Sequence, residues 1–105
     1  MAEKTMMLCC AAGMSTSMLV ARMQDAAKKD GVEVNIFACP VAEADDKLAE
    51  NDVSVILLGP QVRYMLDSFK KKVADKQIPV AVIDMQAYGM MDGEKVLQQG
   101  LKLAK

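Results

Sequence analysis

Thr5-Met6-Met7-Leu8-Cys9-Cys10 runs directly into Ala11-Ala12-Gly13-Met14-Ser15-Thr16-Ser17, and the reading of this stretch decides the fold. Thr5 to Cys9 is a short, continuous apolar run. Such runs suit a strand covered on both faces, as in a parallel sheet, better than a strand with one wet face. A short loop around Gly13 follows. From Thr16 to Lys29 the spacing turns helical: Leu19, Met23 and Ala26 share a stripe, Lys28 and Lys29 occupy the last turn, and Gly31 supplies a stop. Strand, tight loop and helix in this order open a β-α-β unit.

Further along the chain the same alternation continues. Val32 to Ala38, Val53 to Leu58 and Val80 to Asp84 are three more candidate strands. Val41 to Glu50, after Pro40, suits a short helix. Gln61 to Val73 places Val62, Met65, Leu66, Phe69 and Val73 at helical intervals behind Pro60, whose missing N–H does no harm in a first turn. Asp92 can cap a last helix reaching Ala104, with Val96, Leu97 and Leu101 turned inward. The expected fold is therefore α/β: an open four-stranded parallel sheet, doubly wound, with helices on both faces and right-handed crossovers. In such sheets ligands collect at the carboxyl ends of the strands.

The 105 residues suit a single domain spanning 1–105, long enough to bury a core without staples. Hydrophobic residues make up 52% and charged residues 26%, a globular balance. No apolar run approaches the roughly 18 residues that a membrane span needs, and the apolar stretch after Met1-Ala2-Glu3-Lys4 is too short for a signal-peptide core. The expectation is a cytoplasmic protein with no direct membrane insertion. A net charge of −1 supplies no electrostatic footprint for nucleic acid. Three cysteines, two of them adjacent, make neither a disulfide framework nor a Cys-x-x-Cys dithiol, and with no histidine a zinc site is not expected. No cofactor is expected either.

The chemistry concentrates on Cys10. A loop between a strand and a helix aims backbone amides and the positive end of the helix dipole at one spot, and that spot attracts anions. A thiolate at the head of the loop is stabilised by the same field and becomes a nucleophile. A phosphoryl group on Cys10 would meet the amides of Ala11, Ala12, Gly13, Met14, Ser15, Thr16 and Ser17, with the last three hydroxyls as extra donors. Gly13 lets the backbone come close. Cysteine is also a common packing residue, and that reading is the better one for Cys9, inside the apolar strand, and for Cys39. One of the hydroxyls also serves as an ordinary helix cap. Met14, an apolar residue within the loop, is a candidate partner contact. Most of the ten methionines read as adaptable core filler, and Lys70-Lys71-Lys72 as a solvated helix end.

Other phosphate loops fit less well. No lysine follows Gly13 until Lys28, so the nucleotide-binding Gly-x-x-x-x-Gly-Lys-Ser/Thr pattern is absent. One glycine is too few for a dinucleotide fingerprint. Cysteine-dependent tyrosine phosphatases resemble this loop but place an arginine six residues after the cysteine to clamp phosphoryl oxygens. That position is Thr16, which disfavours hydrolysis and favours a phosphoryl carrier. A small cysteine-dependent phosphatase stays open as the alternative, as does a flavodoxin-like module holding a cofactor phosphate.

The sequence resembles the IIB components of the bacterial phosphoenolpyruvate-dependent sugar phosphotransferase system, of the lactose, cellobiose and chitobiose type. Three blocks carry the resemblance: Leu8 to Ser17; Leu57-Leu58-Gly59-Pro60-Gln61 with Tyr64-Met65; and Ile83-Asp84 with Tyr88-Gly89 and Asp92-Gly93. The resemblance implies a four-stranded parallel sheet and a relay. A phosphohistidine on a IIA protein passes its phosphoryl group to Cys10, which passes it to a sugar, a β-linked disaccharide such as cellobiose or chitobiose, held by the membrane permease IIC. Pro60, Gln61, Tyr64 and Tyr88 follow other strand ends and would rim the site or form a docking face. For Tyr64 and Tyr88, half-buried packing with a wet hydroxyl is an equal alternative. Asp84 and Asp92 read more simply as turn and cap residues than as general acids.

Overall fold

A computed structural model describes residues 4–11 and 14–104, all with side chains except 14 and 15. Strands β1 (Lys4–Cys10), β2 (Val34–Pro40), β3 (Val55–Leu58) and β4 (Val80–Val82) form one sheet in the order β2-β1-β3-β4, with every pairing parallel. Helices α1 (Met14–Asp30), α2 (Ala44–Glu50), α3 (Leu66–Lys72), α4 (Met85–Gly89) and α5 (Gly93–Leu103) lie between and after the strands. The chain leaves β1 for one edge of the sheet and returns to its other side as β3. The ends of β1 and β3 therefore flank the point where the winding reverses, which is where open α/β sheets form a crevice.

The apolar strands separate two cores. Met6 and Leu8 of β1, with Val55 and Leu57 of β3, pack against Leu19, Val20, Met23 and Ala27 of α1 and Val96 and Leu97 of α5. Met7 and Cys9, with Ile56 and Leu58, face the opposite layer: Ala44 and Leu48 of α2, Phe69 of α3, and Val62 and Val73 flanking it. This alternation on continuously apolar strands is what a sheet covered on both faces requires. On the first face α1 and α5 approach so closely that a Cβ on Gly93 would fall 2.5 Å from the carbonyl carbon of Arg22. Among the described residues no helix is long and apolar enough to cross a membrane.

The structure moves several boundaries, each for a local reason. Val32, expected to open the second strand, instead closes α1: Gly31 turns to φ 70°, its N–H reaches the Lys28 carbonyl, and the Val32 N–H bonds the Ala27 carbonyl at 2.9 Å. That double bond pattern is a Schellman cap, so β2 starts only at Val34. β3 begins at Val55 rather than Val53, because Ser54 is held sideways: its N–H donates to the Thr5 carbonyl and its Oγ accepts from the Thr5 N–H. The helix expected over Gln61–Val73 is a 3₁₀ segment, Pro60–Met65, kinked at Val62, followed by α3. Its apolar positions serve either geometry, and Val62, Phe69 and Val73 are buried as expected. β4 stops at Val82, since Asp84 turns out of the sheet to start α4, an element too short for a repeat to reveal. The Asp92 cap is present, its carboxylate accepting from the Lys95 N–H.

Candidate functional site

Cys10 is the last residue of β1, beside Pro40 of β2 on one side and the end of β3 on the other. The Gly59 N–H donates to the Cys9 carbonyl at 2.8 Å and ties the turn after β3 to the end of β1. A Cβ on Gly59 would lie 3.5 Å from Cys10 Cβ and 3.0 Å from Gln61 Oε1. Glycine therefore leaves a gap beside Cys10 that any other residue would fill. Ala11, the next residue, is exposed, and α1 starts at Met14. The first N–H groups of a helix have no partner within it and carry partial positive charge, so an anion-attracting end stands close in sequence to this thiol.

The three thiols differ in surroundings. Cys9 is fully buried in the α2/α3 layer, its Sγ 3.8 Å from Cys39 Sγ. The hydrogen bond with Cys39, reinforced by burial, pushes the Cys9 thiol far above its ordinary range. The same bond draws Cys39 below its ordinary value, against the opposing effect of burial. Of the pair, Cys9 keeps the proton. Cys10 is also only 4% exposed; the two-residue alternation of the strand sets it on the face opposite Cys9, and its Cβ borders the gap at Gly59.

The loop expected over residues 11–17 divides. Ala11 bends away after the strand end, while Ala12 and Gly13 lie outside the described residues. Met14 and Ser15 have helical backbone, and their side chains, Met14 as a candidate partner contact included, lie outside the described residues. Thr16 and Ser17 also belong to the first turn of α1, which starts two residues earlier than the apolar spacing suggested. Ser17 is exposed, whereas Thr16 is fully buried and its Oγ1 has no hydrogen-bond partner among the described residues. Such a hydroxyl costs on the order of 1–3 kcal/mol.

Of the four rim candidates, the structure joins two: Gln61 Nε2 donates to the Tyr88 hydroxyl at 3.2 Å. Pro60 opens the 3₁₀ segment, and Tyr64 stands in solvent, 78% exposed. Pro60 and Tyr88 are half-buried. Asp84 is a helix cap rather than a plain turn residue: its Oδ2 accepts from the Ala87 N–H at 2.9 Å. Sequence reasoning missed Gln99, whose Nε2 donates to the Val82 carbonyl and whose Oε1 accepts from the Asp84 N–H. A glutamine on a partly wet helix face carries no signal of such a role. Of the methionines, most of which read as core filler, Met6, Met7 and Met23 are buried while Met18, Met85 and Met90 are exposed. The lysine run stands apart, with Lys72 paired to Asp45 at 2.8 Å and lying over the Phe69 ring. Among the described residues, no group of three or more His, Cys, Asp or Glu is placed to hold a metal ion.

Residues 5–99 match the family model described as the PTS system, lactose/cellobiose-specific IIB subunit. The galactose-specific EIIB component of the PTS system from Lactococcus lactis subsp. cremoris is 49% identical over 100 residues, covering 92% of this chain and 93% of that one. The cellobiose-specific EIIB component from Lactococcus lactis subsp. lactis shows the same identity and coverage. Among solved structures, the lactose-specific IIB component domain from Streptococcus pneumoniae superimposes with a TM-score of 0.87 at 20% identity, covering 99% of this chain and 100% of that one. At that identity it shows the common fold alone.

Proposed function

The chain belongs to the lactose/cellobiose-specific IIB subunits of the sugar phosphotransferase system, and from that premise we propose that Cys10 is the residue that carries the phosphoryl group. IIB components are phosphotransferase components acting in the transfer of phosphate to sugar. In the first step the Cys10 sulfur attacks the phosphorus of a phosphohistidine on a IIA protein. The S–P bond forms as the P–N bond breaks, the electron pair returns to the imidazole nitrogen, and the thiol proton ends there. In the second step a hydroxyl of a sugar held by a IIC permease attacks the same phosphorus; the O–P bond forms as the S–P bond breaks with its electron pair on sulfur, the hydroxyl proton ends on the departing sulfur to restore the thiol, and the sugar becomes a phosphate ester. This places the chain on the cytoplasmic side, between a soluble donor and a membrane-held acceptor.

The observation that supports this reading is the Thr16 hydroxyl, buried in the first turn of the helix that follows Cys10 and without a hydrogen-bond partner among the described residues. A phosphoryl oxygen on Cys10 gives it an acceptor, and the amides of Ala11 through Ser17 are the remaining donors in this reading. Thr16 stands where a phosphatase loop has arginine. Without a guanidinium, charge developing during attack by water goes uncompensated, so the phosphocysteine keeps its cargo. Two relatives at the same 49% identity are named for different sugars, so likeness does not select one. Our reading of the acceptor as a β-linked disaccharide such as cellobiose or chitobiose rests on the lactose/cellobiose description of the family and on the cellobiose-specific relative.

Intact-protein mass spectrometry after incubation with phosphoenolpyruvate, the general phosphotransferase proteins and a matching IIA tests the assignment. One added phosphoryl group is expected, absent in Cys10→Ser and kept in Cys9→Ser. A label retained in Cys10→Ser, or rapid turnover of an aryl phosphate by the wild type, would sink the proposal.

A further inference from the structure

We propose that the Gln61 carboxamide is the side-chain contact to the group on Cys10, and that the Tyr88 hydroxyl holds it in place. This rests on the reading of Cys10 as the phosphoryl carrier. Gln61 Oε1 and Cys10 Cβ both lie within 3.5 Å of the point where a Gly59 Cβ would sit, so the carboxamide borders the same gap as the base of the Cys10 side chain. Gln61 is exposed, and packing does not require its side chain to be ordered. Holding a glutamine in one rotamer costs conformational freedom, so positioning its carboxamide at the gap calls for a partner. Tyr88 is that partner, at 3.2 Å.

Tyr88 is itself anchored. It lies on α4, which starts at the Asp84 cap, and the Asp84 N–H is held by Gln99, which also binds the Val82 carbonyl. The end of β4 thus positions a hydroxyl that positions a carboxamide beside the end of β1. A carboxamide suits both states of the carrier. With its Oε1 toward the gap, it offers an acceptor to a thiol proton. Turned over, it offers two N–H donors to phosphoryl oxygens, while its oxygen faces a tyrosine hydroxyl able to donate as well as accept.

The test compares Gln61→Ala, Gln61→Glu and Tyr88→Phe by the rate at which neutral iodoacetamide alkylates Cys10, read by peptide-mapped mass spectrometry, alongside phosphoryl acceptance from IIA. Glutamate matches glutamine in shape but places a negative charge against the thiolate and the phosphoryl dianion. Gln61→Glu should therefore react about tenfold more slowly than Gln61→Ala in both assays. Tyr88→Phe should slow phosphoryl acceptance a few-fold. A merely structural role predicts the reverse order, with the isosteric glutamate the milder change. Equal alkylation rates for Gln61→Glu and Gln61→Ala overturn the contact, and wild-type acceptance by Tyr88→Phe overturns the part given to Tyr88. If the alkylation order holds but wild-type Cys10 takes no phosphoryl group, the contact stands and the carrier reading fails.

Discussion

Cys9 and Cys10 are joined by one peptide bond and serve opposite faces of the sheet. On the Cys9 side, two seven-residue helices, α2 and α3, each follow a 3₁₀ segment and close over a core of Met7, Ile56, Leu58 and Phe69. Its polar atoms pair with one another, as Cys9 does with Cys39. On the Cys10 side, the 17-residue α1 and the 11-residue α5 pack backbone to backbone at Gly93. There, Thr16 has a buried hydroxyl with no hydrogen-bond partner among the described residues. One layer is satisfied in the resting state. The other holds an unsatisfied group where the proposed cargo would complete it. The alternation of a strand, period two, is what lets adjacent thiols have such different fates.

Truncating the Cys9 side should cost stability and leave the chemistry intact. Phe69 is fully buried among Met7, Ile56, Leu58 and Val73, so Phe69→Ala should lose about 3–5 kcal/mol in urea unfolding. Below the unfolding transition, the folded fraction should still accept a phosphoryl group on Cys10 at close to the wild-type rate. A tenfold loss of acceptance in folded Phe69→Ala would mean that the two layers are coupled rather than separate.

The thiol pair offers a smaller test through pH. Cys39 is drawn below its ordinary value of 9.0, so the folded protein releases that proton before the unfolded chain does, and stability rises with pH toward 9. Cys9 lies above 9.0 when folded, so past pH 9 the unfolded chain loses a proton that the folded protein keeps, and stability falls by at most about 1.4 kcal/mol per pH unit. The stability of the wild type relative to Cys9→Ala/Cys39→Ala should therefore pass through a maximum near pH 9. A difference that is flat with pH would mean that the two sulfurs do not share a proton.

The same contrast explains how much was legible beforehand. Strands covered on both faces declare themselves as continuous apolar runs, so the sheet, its parallel sense and both helical layers followed from residues such as Met6 to Cys9 and Val55 to Leu58. Boundaries set by single hydrogen bonds did not, as with Val32 drawn into the α1 cap and Ser54 bound to Thr5. Cys10 stands out in the sequence as a candidate because strand, glycine loop and hydroxyl-rich helix start are contiguous. The Gln61–Tyr88 pair was not, since its members are 27 residues apart and meet only because β1, β3 and β4 lie side by side. The orphan state of Thr16 was equally hidden, because burial of a hydroxyl depends on what the rest of the chain packs over it.

Thr16 also gives the smallest and most discriminating test. If its hydroxyl is held in reserve for a phosphoryl oxygen, replacing it by a methyl removes a cost from the resting protein and a donor from the loaded one. Thr16→Val keeps the branched shape and has nearly the same helix propensity. It should raise the stability of the free protein by about 1 kcal/mol, read from the urea midpoint at constant slope. Phosphoryl acceptance at Cys10 should fall several-fold, and the phosphorylated form should gain less stability than the free form. A variant that gains stability and accepts phosphate at the wild-type rate would show the hydroxyl to be a packing defect. A variant that loses stability would show that it already has a partner, and the contrast between the two layers would then rest on Cys9 and Cys10 alone.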